Sequence, residues 1–168
     1  MIKRRKDEGF TLIELMIVIA VIGILAIVLV PKVGTIKTQA KNQGIDTNMR
    51  VVQGYVQAKI SHWADKNTLQ SAIASDIDSG LTTSSDPMKN PFFNGSAGTN
   101  IINVIGSELP ATTDAVQIRS TSAGTGQGTI EVIVPADSGT NNTLATNGIT
   151  INGLDQNGTV YNTVNIKP

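Results

Sequence analysis

A single acidic side chain stands inside a long apolar run. Glu14 lies in FTLIELMIVIAVIGILAIVLV, Phe10 to Val30, where only it and Thr11 are polar among 21 residues. A carboxylate at mid-membrane costs about 2–3 kcal/mol, less near an end, and such residues usually have a partner. Glu14 is therefore the residue whose type and place most call for chemistry. Elsewhere the signals are thin. His62 is the sole histidine, there is no cysteine, and no second ligand accompanies it, so neither a metal nor a catalytic role is expected there. Its neighbour Trp63 is expected to anchor a core. The chain has no phosphate loop, HExxH, CxxC or nucleophile elbow. Gly124, Gly126 and Gly128 alternate in a polar loop with no helix after them, which excludes a nucleotide reading. Asp155-Gln156-Asn157-Gly158 resembles a fragment of a calcium loop but lacks the downstream glutamate. No catalytic set assembles, so the chain is not expected to be an enzyme, and no cofactor or bound metal is expected.

The element that positions Glu14 follows from length. As a helix rising about 1.5 Å per residue, the run spans roughly 30 Å, the hydrocarbon thickness of a bilayer. In lipid every backbone group must be paired internally, and one helix does this. The run is too long for the apolar part of a secretory signal peptide, and Val28-Leu29-Val30-Pro31 is a poor cleavage site of that kind. Lys3, Arg4, Arg5 and Lys6 flank it on one side; Lys32, Lys37, Lys41 and Arg50 follow on the other, so charge counting leaves the orientation balanced. The short N-terminal tail favours its staying inside. Gly23 and Pro31 each weaken the helix. They read either as a mild kink, tolerated in membrane helices, or as a stretch that can loosen.

Gly9-Phe10-Thr11-Leu12-Ile13-Glu14, preceded by the basic leader and followed by the apolar run and Pro31, resembles the prepilin cleavage and methylation motif of type IV pilins and of the related type II secretion pseudopilins. The resemblance is specific over about residues 3–37 and fades to a general likeness of plan beyond. It implies that a membrane prepilin peptidase cuts between Gly9 and Phe10 and N-methylates the new Phe10 amine. It also implies that Glu14 acts in assembly by pairing with such an amine, on a neighbouring subunit. The partners implied are other copies in a helical filament, the peptidase, the membrane and the pilus assembly machinery; direct nucleic-acid binding is not expected. The subunit would wait as a single-pass protein of the cytoplasmic membrane and end in an extracellular pilus. Adhesion, motility and DNA uptake are uses that the subunit sequence does not separate. Two alternatives stand beside the pilus subunit: a type II secretion pseudopilin, and a membrane-anchored binding module that never polymerises.

The remaining sequence must build a head. The formal net charge is zero, but residues 1–66 hold ten basic and five acidic side chains, and residues 67–168 three and eight. The four basic residues directly before the apolar run read as a membrane flank and not as a nucleic-acid surface. Without cysteine, packing and strand pairing alone hold the head. Ile45, Met49, Val52, Val56, Ile60 and Trp63 recur at spacings of 3 and 4, a helical stripe expected to lie on a sheet. The chain therefore divides into a leader (1–9), a helix (10–66, membrane part 10–30), a connecting region (67–114) and a sheet (115–168). The connecting region carries a short helical piece, Thr68 to Ile77, and a turn-rich segment whose Phe92 and Phe93 are expected to plug the core. From Ala115 the pattern turns to period two at 116–119, 129–134, 149–151 and 160–166, separated by Gly/Ser/Thr/Asn-rich intervals. Asn-Gly at 94, 147, 152 and 157 suits tight turns. The fold expected is α+β: a long helix packed on a small antiparallel sheet of about four strands.

Overall fold

A computed structural model describes residues 9–82, 88–93, 101–103, 105, 114–122 and 126–168, the side chains of 30–33 and 102–103 excepted. The leader's basic residues and the Asn94-Gly95 pair lie outside the described residues. The chain divides into two units, Met1–Thr38 and Gln39–Pro168.

Helix α1 covers Leu12–Asp65 and continues through both Gly23 and Pro31. Within the first unit it carries the apolar run, and Leu12–Leu29 is long and apolar enough to cross a membrane, with none of it buried within the chain. Within the second unit the same helix changes character. Ile45, Met49, Val52, Val56, Ile60 and Trp63 are all buried, as their spacing requires. The helix ends in a Schellman cap: the Thr68 amide donates to the Trp63 carbonyl (2.8 Å) and the Asn67 amide to that of Ala64 (3.0 Å). Asn67 takes the left-handed conformation this needs, with φ 50°. Its side chain also crosses to another segment, donating to Thr140 O (3.0 Å) and accepting from the Asn142 amide (2.8 Å).

Helix α2, Gln70–Thr82, starts later and runs further than the expected 68–77. Both carboxylate oxygens of Asp137 accept from the Gln70 amide (3.0 and 3.1 Å), satisfying an otherwise orphan donor at the helix N-terminus. Its far end includes Gly80, where a Cβ would collide with the Tyr55 ring of α1. Glycine here serves close helix approach and not chain breaking. Ile73, Ala74, Ile77 and Leu81 face the core. Asp76 binds α2 to α1: its carboxylate accepts from Trp63 Nε1 (2.9 Å), Tyr55 OH (3.1 Å) and Lys59 Nζ (3.1 Å). Those three donors sit four residues apart on one face of α1.

The sheet has five strands in the order β1 (Ile101–Asn103), β2 (Val116–Arg119), β3 (Ile130–Ile133), β4 (Ile149–Leu154), β5 (Val160–Ile166), with a one-turn helix α3 (Leu144–Asn147) between β3 and β4. The α+β class and all four expected strands are present. The expectation of an antiparallel sheet is corrected. β1, β2 and β3 run parallel, and only β3–β4 and β4–β5 are antiparallel. The Ser122–Gly128 interval therefore joins parallel strands and is not a hairpin. All four residues of β2 are buried, as expected of a strand covered on both faces. Of the Asn-Gly pairs, 157–158 does form the β4–β5 turn, with Gly158 at φ 74°. Gly148 follows α3, and Asn152-Gly153 lies inside β4. A Cβ on Gly153 would stand 2.6 Å from Met49 Sδ, so the missing side chain is what lets α1 settle on the sheet.

The two faces of the sheet differ. One carries an apolar row, Ile118, Val132, Ile151 and Val164, in register across four strands and turned to the α1 stripe. The other carries Gln117, Glu131, Asn152 and Thr163, also in register. Phe92 packs against the core, while Phe93 is half-buried. The firmer anchor of that segment is Asn90, which is buried and donates to Asp114 O (3.1 Å) and Gln127 O (2.7 Å).

Candidate processing and assembly site

The N-terminal site begins outside the helix. Gly9 and Phe10 precede α1, both exposed, with Phe10 at 92%. Their peptide bond thus lies in non-helical, accessible backbone, the form a peptidase cleft takes up. Thr11 is the helix N-cap and Glu14 is the third residue of the first turn. The two cap each other. Glu14 Oε2 accepts from the Thr11 amide (2.8 Å) and the Thr11 hydroxyl (2.7 Å), while the Glu14 amide donates to Thr11 Oγ1 at 3.4 Å. This is a capping box, worth about 1 kcal/mol to the helix start. Glu14 Oε1 has no partner among the described residues, so half of the carboxylate stays available to a cation from outside the chain.

Sequence reasoning singled out Gly9, Phe10 and Glu14, and the structure brings all three together within the two turns around the helix start. It missed Thr11. The signal was present as Thr-x-x-Glu directly ahead of an apolar run, the written form of a capping box.

The other candidates lead away from chemistry. His62 is exposed in the last turn of α1, and Trp63 beside it is 2% exposed in the core. Asp155 Oδ1 accepts from the amides of Asn157 (2.7 Å) and Thr159 (2.9 Å), which commits that oxygen to shaping the β4–β5 turn. Among the described residues no group of three or more His, Cys, Asp or Glu is placed to hold a metal ion. Among the described residues, a buried polar cluster forms the row behind the sheet. Ser122 Oγ donates to Glu131 Oε2 (2.6 Å), Arg119 Nε lies 3.7 Å from Glu131 Oε1, and Arg119 donates to Gln117 Oε1 (2.6 and 2.9 Å). Glu131 and Gln117 are fully buried, so no substrate reaches them. Such a satisfied network fixes strand register and holds no reactive group open.

Residues 4–30 match the prokaryotic N-terminal methylation motif. The chain is also similar to the type II secretion system core protein G of Pseudomonas aeruginosa, at 51% identity over 39 residues. That stretch is 23% of this chain and spans 28% of the relative's length. No solved structure matches.

Proposed function

From the prepilin-type segment at its N-terminus we propose that this chain is a pilin-like structural subunit, cleaved between Gly9 and Phe10, N-methylated at Phe10, and polymerised through α1 into a helical filament. The observation that carries the reading is Glu14, half-satisfied by its own helix cap in an apolar segment that nothing in its own chain covers. A helix that is apolar all round belongs in lipid or among other helices. Cleavage would leave a cationic amine on Phe10, and two lone charges in a low-dielectric medium are each expensive while together they offset much of that penalty. Glu14 Oε1 is the free acceptor for the amine of a neighbouring subunit. Thr11 holds the carboxylate at the start of the helix for it. Repetition of one heterologous contact gives an open polymer and not a closed ring.

Of the two filaments such subunits form, the pilus is the reading favoured by a strand-rich head whose Asp155 loop is spent on its own backbone. The pseudopilus of type II secretion is the second reading, favoured by the similarity to core protein G. The subunit has no enzymatic role in either, and waits in the cytoplasmic membrane before assembly.

Mass spectrometry of sheared surface fibres tests the reading. A peptide beginning at N-methylated Phe10 is expected from them. Glu14→Ala is expected to leave Gly9–Phe10 cleavage largely intact and to reduce filament yield by about tenfold or more, the scale of one lost charge pair. Wild-type filament numbers in that variant would remove Glu14 from the assembly step. Fibres free of the protein, with the leader still attached to a membrane-bound monomer, would overturn the whole proposal.

A further inference from the structure

We propose that Asn157, in the β4–β5 turn, is an N-glycosylation site whose glycan shields the open edge of β5. The inference rests on the part of the proposed function that puts the head outside the cytoplasmic membrane, and adds a modification that a filament does not require. Three Asn-x-Ser/Thr acceptor triplets occur, at Asn94, Asn141 and Asn157. Asn94 lies outside the described residues, and the structure separates the other two. Asn141 is tied down: its Oδ1 accepts from Asn67 Nδ2 (3.1 Å), its backbone pairs with Ser138, and the hydroxyl of Thr143 donates to Ala136 O (2.8 Å). A transferase would have to break all of these to draw that triplet into a cleft.

Asn157 offers the opposite case. It is exposed, as are Gln156 and Thr159, and among the described residues neither its amide group nor the Thr159 hydroxyl takes part in a hydrogen bond. The turn is held instead through its backbone: Asp155 Oδ1 accepts from the amides of Asn157 (2.7 Å) and Thr159 (2.9 Å), and Asp155 O from that of Gly158 (3.1 Å). The two side chains that the acceptor triplet needs are thus left to solvent by a turn that does not use them. Asp155 Oδ2 accepts nothing within the described residues. It stands two residues ahead of Asn157 as an anionic handle for a cationic side chain of a transferase. The step is a displacement on a glycan carried by a polyprenyl diphosphate. The Asn157 amide nitrogen bonds to the anomeric carbon while the bond from that carbon to the diphosphate oxygen breaks. The lipid diphosphate leaves with the electron pair, and the amide gives one proton to a base. The place gives the glycan a use. β5 is the last strand of the sheet, so one flank of its backbone is unpaired, and Val160 to Ile166 contains no charge or proline to discourage another strand from adding there. Val160 and Tyr161, which begin β5, are also 37% and 40% exposed. A bulky, hydrated glycan on the turn just ahead covers that start.

The test uses the native full chain, from sheared fibres and from membranes of its own host. Cleavage before aspartate separates residues 155–168, in which Asn157 heads the only acceptor triplet, from residues 137–154, which hold Asn141. Electron-transfer fragmentation is expected to place a glycan mass on Asn157. An Asn157 unmodified in both fractions, whatever Asn141 carries, or a glycan on the Thr159 oxygen instead, would overturn the site and leave the filament reading to its own test at Phe10. Thr159→Ser is expected to keep the glycan and Thr159→Val to lose it completely, as is Asn157→Gln, with leader cleavage unchanged in all three. Retention of the glycan in Thr159→Val would also refute the site. For the shield, fibres of Asn157→Gln are expected to scatter more light than wild type at equal protein concentration, through side-by-side association. Equal scattering would strike the shielding of β5 from the proposal.

Discussion

Helix α1 serves two environments with one backbone. In Leu12–Leu29 every turn is apolar and every large side chain is exposed within the chain, from Leu12 at 77% to Leu29 at 58%. In Ile45–Trp63 apolar residues keep to one stripe, and that stripe is dry. Glu14 is the one charged side chain of the first stretch, whereas in the second Asp46, Arg50 and Lys59 lie off the stripe. The contrast teaches how to read an unbroken helix. A stripe means that the chain supplies its own cover, whereas an all-round apolar surface means that something outside the chain supplies it. Substitutions in the two stretches should therefore report on different properties.

The sharpest way to break this division is Trp63→Ala. It empties a large site in the core and removes the indole donor to Asp76, and it is expected to destabilise the head by about 3–5 kcal/mol. Near-ultraviolet circular dichroism melts of the detergent-solubilised chain read this directly. A melt like wild type would mean that the stripe does not hold the head together.

Asp76→Asn sharpens the same point at smaller scale. Burial raises the Asp76 pKa, but hydrogen bonds from Trp63, Lys59 and Tyr55, with the Lys59 charge, outweigh it and hold the carboxyl below its ordinary range. A lowered folded-state value means stability that is present above the ordinary carboxylate pKa of about 4 and lost as pH falls through the folded-state value. The carboxylate is 36% exposed, so solvent screening leaves the substitution worth about 1 kcal/mol at neutral pH. Wild type should lose stability below about pH 4 and Asp76→Asn should lose less there, narrowing the gap between them. A gap that widens on acidification would reverse the sign assigned to this group.

The smallest effect belongs to the other stretch. Ile19→Ala removes a side chain that is 61% exposed in its own chain, and the head's melting should move by no more than about 0.5 kcal/mol. A larger shift would show that the run bears on the head's own stability.

Much of this plan was legible from residue spacing. Period two marked β2 to β5, and spacings of three and four marked the α1 stripe residue by residue. Alternation does not encode direction, however: Val116-Gln117-Ile118-Arg119 reads the same whether its neighbour runs with it or against it, so the parallel half of the sheet was hidden. β1 is only three residues long, too short for any period. α2 runs to Thr82, past the expected end at Ile77, and Gly80 in its added turn makes room for the Tyr55 ring. The capping box was written in Thr11 and Glu14 but was masked by attention to the glutamate's charge.

The contact between α1 and the last strand has a further consequence. Tyr161 OH donates to the Asp46 carboxylate at 2.8 Å, across 115 residues, and Ile166 of β5 closes one end of the core. During synthesis the α1 stripe emerges long before the strands that cover it. The head cannot close until β5 is in place beside β4, and contacts this distant in sequence are slow to form. Throughout that interval Ile45 to Trp63 lies bare, so the nascent chain is at its most aggregation-prone before its final strand arrives.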